Sequence, residues 1–472
     1  MIQRRFALRA ISIAASALLA ASCALKTPPD AAAIKKESMA KVDVPGAWKA
    51  VQPVAGIVTD NWLATFQDNA LTAAVTEAIE SNPDMRVGAA RVEQAQLYAK
   101  LAGAKLYPSV DVIAKGGLKP GSDSSPLQGA WLMLSWEVDI WGRVRYGRAA
   151  AVADALSAAA DYEYARQSLA ALVAKSWFLA TEANLQADLA RRTIADQETL
   201  VRLAESRAQI GVGNSEDIYV ARASAATYRD ALRQIELSRE NAIRALELLI
   251  GHYPAAAATI DTALPAQPPP VPAGLPSELL ERRPDVVAAE RRVAAAFNRI
   301  GEAKAARLPA IALTSGVSAI SSDLVVLKDH DNPVWSLGAN LLMPVFKGGA
   351  LKTNVEIKTA SQKQAVAEYA SIGLRAFGEV EGALAGELAA RDREQLLTQA
   401  LADNQRAFEI VQTQYRVGST DMRYVTQRQL ALNSTQAALI QVQTEQRVQR
   451  VNLHLALGGS FAPRPAPPTT HP

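Results

Sequence analysis

Apolar and polar side chains alternate along four short stretches of the chain. Val110, Val112 and Ala114 alternate with Ser109, Asp111 and Lys115, and Leu132, Leu134, Trp136 and Val138 alternate with Ser135, Glu137 and Asp139. Later, Ile311, Leu313 and Val317 stand against Ala312, Thr314 and Ser318, and Trp335, Leu337, Ala339 and Leu341 against Ser336, Gly338 and Asn340. A period of two separates the sets onto opposite faces of a strand. The spans 108–140 and 309–345 therefore read as two β-hairpins with polar loops, the first carrying Gly121, Ser122 and Ser124 and the second Asp329-His330-Asp331-Asn332. One apolar and one polar face suits a soluble sheet with a solvated side, and it also suits a membrane barrel. Four strands are too few to close a barrel, which needs about eight, so a membrane reading requires copies of the chain to share one.

After each hairpin the period becomes helical. The chain carries 24 prolines, yet Leu127 to Tyr253 and Val345 to Ala462 have none. Proline in a helix interior costs about 3 kcal/mol, so these spans are predicted to hold very long helices, near Val144–Ile210 and Ala350–Val417, each ~100 Å long at 1.5 Å per residue. Gly211-Val212-Gly213-Asn214 and Val417-Gly418-Ser419-Thr420 end them, because glycine accepts the left-handed conformation of a helix end. Asn214 or Ser215, and Ser419 or Thr420, can cap the returning helices. Glu216, Asp217 and Asp421 suit a first helical turn and equally well supply charge at the tips. On the first return helix, Ile218, Ala221, Ala225, Tyr228, Leu232, Ile235, Arg239, Ala242, Leu246 and Leu249 keep coiled-coil spacing with one polar break. On the second, Gln429, Gln436 and Gln443 form a stripe that suits either a solvated face or the lining of a wet interior. Gly378, Gly382 and Gly386 recur at one-turn spacing among glutamates, which points to close helix approach outside a membrane.

The two halves repeat. Pro83-Asp84, Arg91-Val92, Ala95, Ala102, Ala104 and Pro108 recur 201 residues later as Pro284-Asp285, Arg292-Val293, Ala296, Ala303, Ala305 and Pro309. Trp136 matches Leu341, and Val212-Gly213 matches Val417-Gly418, both at an offset of 205. Gene duplication is the simplest origin.

Charge and cysteine narrow the function. The chain has 50 basic and 47 acidic residues, and the excess lies in Arg4, Arg5 and Arg9, so beyond residue 22 the charges balance. A nucleic-acid-binding surface is unsupported. Those arginines, an apolar run from Ala10 to Ala20 and the small residues Ala21 and Ser22 read as an export signal. Cys23, the only cysteine, follows it and is the expected lipidation site. No other run approaches the roughly 18 to 20 apolar residues of a spanning helix. Histidines at 252, 330, 454 and 471 are scattered. Without a phosphate-binding loop or paired catalytic acids, no enzyme, cofactor or metal centre is expected.

Together these readings divide the chain into a signal peptide (1–22), a lipidated N-terminus and tether (23–67), a first repeat (68–253), a proline-rich equatorial linker (254–283), a second repeat (284–460) and a tail expected to be disordered (461–472). The duplicated Asn-Pro-Asp and Arg-Pro-Asp helix starts, Asp139-Ile140-Trp141-Gly142-Arg143, its partner Pro344-Val345-Phe346-Lys347-Gly348-Gly349, and the two Val-Gly turns resemble the TolC-like outer-membrane efflux family. With Cys23 the resemblance is to its lipoprotein branch, typified by OprM and NodT. That resemblance implies a mainly α fold with a membrane β-barrel, in which a homotrimer shares a twelve-stranded barrel and a periplasmic helical tunnel. It implies an inner-membrane pump of the proton-driven RND type and a periplasmic membrane-fusion adaptor as partners, with outer-membrane lipid around the barrel. The adaptor-facing residues it implies are Val212, Gly213, Asn214, Val417, Gly418, Ser419 and Thr420. The acidic constriction of TolC itself does not transfer, because Tyr424 and Gln427 occupy those positions. The gate candidates are Tyr415, Arg416, Asp421, Arg423, Tyr424 and Gln427. A lipid-anchored coiled-coil structural protein would share the helices but has no use for four alternating strands.

Overall fold

The computed structural model describes residues 25–40, 42–50, 58, 60–115, 128–274, 276–321 and 334–462. Cys23, both hairpin loops with the Asp329-His330-Asp331 group, and the tail beyond 462 lie outside them. The chain divides into two compact units, one of residues 1–42, 89–161 and 285–372, the other of residues 43–88, 162–284 and 373–472.

The first unit holds the sheet. Strands β1 (Ser109–Lys115), β2 (Gln128–Val138), β3 (Ala310–Ser321) and β4 (Val334–Leu342) pair antiparallel in that order. The register joins Val112, Leu132, Val317 and Trp335 in one row across all four strands, and the neighbouring row is Asp111, Met133, Gly316 and Ser336. Every apolar position read from the alternation lies on the first face. That face is open: Val112 is 71 %, Trp335 76 % and Leu337 87 % exposed.

One turn fixes how β2 becomes helix. Asp139 accepts hydrogen bonds from the Val144 and Arg145 amides, at 3.0 and 2.9 Å, and starts α4 (Arg143–Gln209), while Gly142 supplies the turn with φ of 75°. The indole N–H groups of Trp136 and Trp141 donate to the Leu106 and Pro309 carbonyls, pinning the first and second repeats to the base of the sheet.

The helices preceding the hairpins, α3 (Pro83–Ala104) and α7 (Pro284–Ala305), are both 22 residues long. They are not buried alike. In α7, Ala288, Ala295, Asn298 and Ala305 are among eleven buried positions, whereas in α3 only Met85 is. Between them in chain order come α4 and its return α5 (Ser215–Ile250), followed by a short α6 (Pro276–Arg282). After the second hairpin come α8 (Ala350–Val417) and α9 (Met422–Ala456).

The second unit has a conventional core. Trp62, Phe66, Leu71, Trp177, Phe178, Ile243 and Leu246 cluster there, with α2 (Asn69–Ser81) started by Asp68, which accepts from the Leu71 amide. The proline-rich linker is held as a strap. Arg447 donates to the Pro265 carbonyl and Arg450 to those of Pro268 and Pro269, while Glu247 accepts from the amides of Ala256, Ala257 and Ala258. Proline carbonyls without neighbouring N–H donors suit arginine. Arg450 is itself buried and paired with Glu387.

Several expectations are corrected. The segment read as a tether contains α1 (Ala31–Ser38), capped by Asp30, and Trp48 is buried with its indole N–H on the Ala273 carbonyl. Apolar side chains at Ile34, Met39 and Trp48 are all withdrawn from solvent, which a free tether would not achieve. On α5, the burial seam takes Ile243 and Ile250 besides Ala221, Ala225 and Leu246, because a straight helix drifts off a seven-residue repeat. Its polar break, Arg239, donates to Asn184. The glutamine stripe is not uniformly wet: Gln429 is buried and accepts from Gln197 at 2.6 Å. Of the three spaced glycines only Gly386 meets a neighbour, Gln449. His454 is buried against Trp62, ring centroids 5.7 Å apart, and burial with the nearby Arg450 charge pushes its pKa down to about 3, so it packs as a neutral ring.

Candidate functional site at two helix-hairpin tips

The two long helices end alike. After α4 the Val212 amide donates to the Arg207 carbonyl and the Gly211 amide to Ala208; after α8 the Ser419 amide donates to Gln414 and the Gly418 amide to Tyr415. This is the Schellman arrangement, with its left-handed residue taken by glycine. Gly211 has φ of 79° and Gly418 of 87°. Gly213 is required for space instead, since a Cβ there would lie 2.7 Å from the Ala208 amide nitrogen. Asn214 then caps α5 through the Glu216 amide, and Asp421 caps α9 through those of Arg423 and Tyr424.

A three-residue cross-link joins the tips. The Tyr415 hydroxyl, on α8, donates to Asp217 Oδ2 on α5 at 3.1 Å, and Asp217 Oδ1 accepts from the Met422 amide at the start of α9 at 3.2 Å. Arg207, in the last turn of α4, donates to the carbonyls of Tyr415 and Arg416 and, at 3.1 Å, of Val212. Its guanidinium also lies 4.7 Å from the Tyr415 ring centroid, a cation–π contact. Burial, then the Asp217 charge and hydrogen bond, push the Tyr415 pKa from 10.0 up to about 12 against the opposing Arg207 charge. The hydroxyl is therefore a permanent donor near neutral pH. Leu200, Ala204, Ala221, Met422 and Val425 pack around the Tyr415 ring.

The sequence-derived candidates separate into two groups. Tyr415 is fully buried within the chain rather than facing an opening, because Asp217 and Arg207 draw it inward. Arg416, Val417, Gly418, Ser419, Arg423, Tyr424 and Gln427 are exposed, as are Val212 and Asn214; Gly213, Thr420 and Asp421 are partly so. Arg423 lies 3.5 Å from Asp421 and 3.9 Å from Glu216, a surface arrangement worth little on its own. Arg207 is the bridging residue that the sequence did not single out. A basic residue in a last helical turn usually complements the helix dipole, and nothing local marks this one as a bridge.

Comparison with known proteins follows this geometry. The family model for "Outer membrane efflux protein" matches residues 74–252 and 275–459. The cation efflux system protein CusC of Escherichia coli O6:H1 is 30 % identical over 409 residues, covering 85 % of this chain and 88 % of CusC. The solvent efflux pump outer membrane protein SrpC of Pseudomonas putida is 31 % identical over 420 residues, covering 84 % and 87 %. Among solved structures, the outer-membrane channel OprN superposes with a TM-score of 0.81 at 26 % identity, over 89 % of this chain and 98 % of OprN.

Proposed function

The chain belongs to the outer membrane efflux protein family, and on that premise we propose that it is the outer-membrane exit duct of a tripartite efflux pump. Family membership makes it an outer-membrane component of an efflux system with the TolC-like fold, not an enzyme. In the finer reading, three copies close one barrel from their four-stranded sheets, and their long helices form the tunnel beneath. Transport through it is passive; an inner-membrane pump supplies energy, and a periplasmic adaptor engages the tip residues Val212, Gly213, Asn214, Val417, Gly418, Ser419 and Thr420. The Arg207–Tyr415–Asp217 cross-link holds the two hairpins of one chain together, and adaptor engagement loosens it as the tips spread like an iris. Exposed Arg416, Arg423, Tyr424 and Gln427, with the half-exposed Asp421, line the narrow end. Cys23 carries the lipid that holds the N-terminus at the membrane.

The observation that carries this reading is the sheet. It has one continuous apolar face open to solvent, and the outer edges of β1 and β4 have no partner among the described residues. Unpaired edges and an open apolar face are resolved together when copies close a barrel in lipid. Imaging the full chain purified in detergent from outer membranes tests it. A threefold barrel with a hollow helical stem is the expected result, and a monomer would sink the proposal.

A further inference from the structure

A cleft of about 320 Å³ lies at the base of the sheet, where β2 runs into α4, α7 into β3 and β4 into α8. All of it belongs to the first unit. Its wall carries Ile140, Leu308, Pro309, Leu342, Pro344 and Leu351, joined by four charged side chains, Glu137, Asp139, Arg143 and Lys347. An apolar hollow with a few polar groups is the usual form of a small-molecule site.

Strand alternation shows on which face the cleft opens. Glu137 has the parity of Met133 on β2, and Leu342 that of Ser336 on β4, so both stand on the polar face, as does Ala310 opposite Leu342. In the shared barrel that face lines the lumen. Leu342 is nevertheless 71 % exposed there, where water rather than lipid would meet it.

The charge left unpaired in the cleft is positive. Glu137 accepts from Arg143 through both oxygens, Nε to Oε1 at 3.0 Å and Nη2 to Oε2. Asp139 accepts from the Val144 and Arg145 amides and from Arg145 Nε at 3.2 Å. Each carboxylate thus faces its own guanidinium. Lys347 is exposed and forms no ion pair among the described residues.

The duplication separates Lys347 from that clasp. At the offset of 205, Glu137 and Asp139 become Leu342 and Pro344, Arg143 and Arg145 become Gly348 and Ala350, and Gly142 becomes Lys347. The second repeat lacks both acid–base pairs and sets one cation beside an apolar wall instead.

We propose that the cleft is a transit site for amphipathic organic anions, with the hydrocarbon part against Leu308, Leu342 and Leu351 and the anionic group on Lys347 and the free Nη1 of Arg143. The site rests on the duct proposed above and gives one place on its wall a cargo chemistry. A brief stop suits passive conduction, since a bound molecule must be held weakly enough to leave.

Single-channel recording from the full-length assembled protein in planar bilayers tests this, with naphthalene-1-sulfonate added on the side the barrel faces. That route reaches the cleft without passing the helix tips. The expected result is transient blockades of the current, with a dwell time that shortens about tenfold in Lys347→Gln and is retained in Lys347→Arg. Leu342→Asn should shorten it as well. Methanesulfonate, which carries the charge without the ring, and 1-naphthylmethylammonium, which carries the ring with the opposite charge, should give no such blockades. Equal blockade by either, or an unchanged dwell time in Lys347→Gln, would overturn the assignment. A conducting channel that naphthalene-1-sulfonate never blocks, as when a neighbouring copy fills the cleft, would overturn it while leaving the duct intact. A chain that forms no conducting channel would overturn both.

Discussion

Tyr415 and Asp217 are 198 residues apart in the chain and 3.1 Å apart at the tips, where the hydroxyl of one hairpin donates to a carboxylate of the other. Tyr415→Phe keeps the ring and deletes that bond. A hydrogen bond to a charged group contributes about 1.5 to 3 kcal/mol, so the tips should spread more readily. Single-channel conductance in planar bilayers should rise, and cells should admit a large antibiotic that wild-type tips exclude. Unchanged conductance would detach this pair from the gate.

The same bond sets a pH dependence. The hydroxyl has a pKa of about 12 in the fold against 10.0 for an ordinary tyrosine, so the folded state favours its protonated form. Its stabilisation is complete below about pH 10 and is lost as pH rises towards 12. Amide exchange at the tips should therefore be insensitive to this group near neutrality and accelerate above about pH 10 after correction for intrinsic rates. Tyr415→Phe should remove that added acceleration.

The tip glycines should respond differently from each other. Gly418→Ala forces a side chain into the left-handed region, at about 1 to 2 kcal/mol. Gly213→Ala places a methyl group against the α4 backbone, where overpacking costs about 1 to 3 kcal/mol and displaces the turn. Both variants should assemble in the outer membrane, and both should lower drug resistance in a strain that depends on this exporter. Full resistance in either would count against an adaptor contact at that tip.

Arg450 and Glu387 test the strap. Both are buried, and Arg450 also holds the Pro268 and Pro269 carbonyls. Glu387→Leu leaves the guanidinium without its carboxylate and should cost about 3 to 5 kcal/mol. Arg450→Met added to it should recover part of that loss, because two apolar side chains replace an unpaired charge. Thermal denaturation of the two variants checks the order.

Cys23 can be tested separately. Cys23→Ser should abolish incorporation of labelled palmitate; persistent labelling would place the lipid elsewhere.

The parts of the fold most legible in the sequence were those with a local physical signal. Alternation at Val112, Leu132 and Trp335 identified the apolar face, and Gly211 and Gly418 marked helix ends because each occupies a conformation that glycine favours. The cross-link was less legible, since Asp217 looks like any acid in a first helical turn and Arg207 like any base in a last one. Their partners come from the other half of the chain, and only folding brings them together. Gln429 was misread for the same reason: a glutamine stripe looks solvated until a distant Gln197 faces it. Trp48, in a polar segment, carried no periodic pattern to announce that it would be buried.

Two segments from near opposite limits of the described chain meet in the second unit. The amides of Asn61 and Trp62 donate to the Ser460 carbonyl, and the Ser460 amide donates back to Asp60, 400 residues away. Asp60 precedes Ser460 by 400 residues, so this clasp cannot form until nearly the whole polypeptide has been delivered. Contacts of such long range are slow to close. The Trp62 face that stacks on His454 therefore waits, uncovered, for the final helix. Export and folding are thereby ordered in time, and the interval between them is when periplasmic chaperones have most to protect.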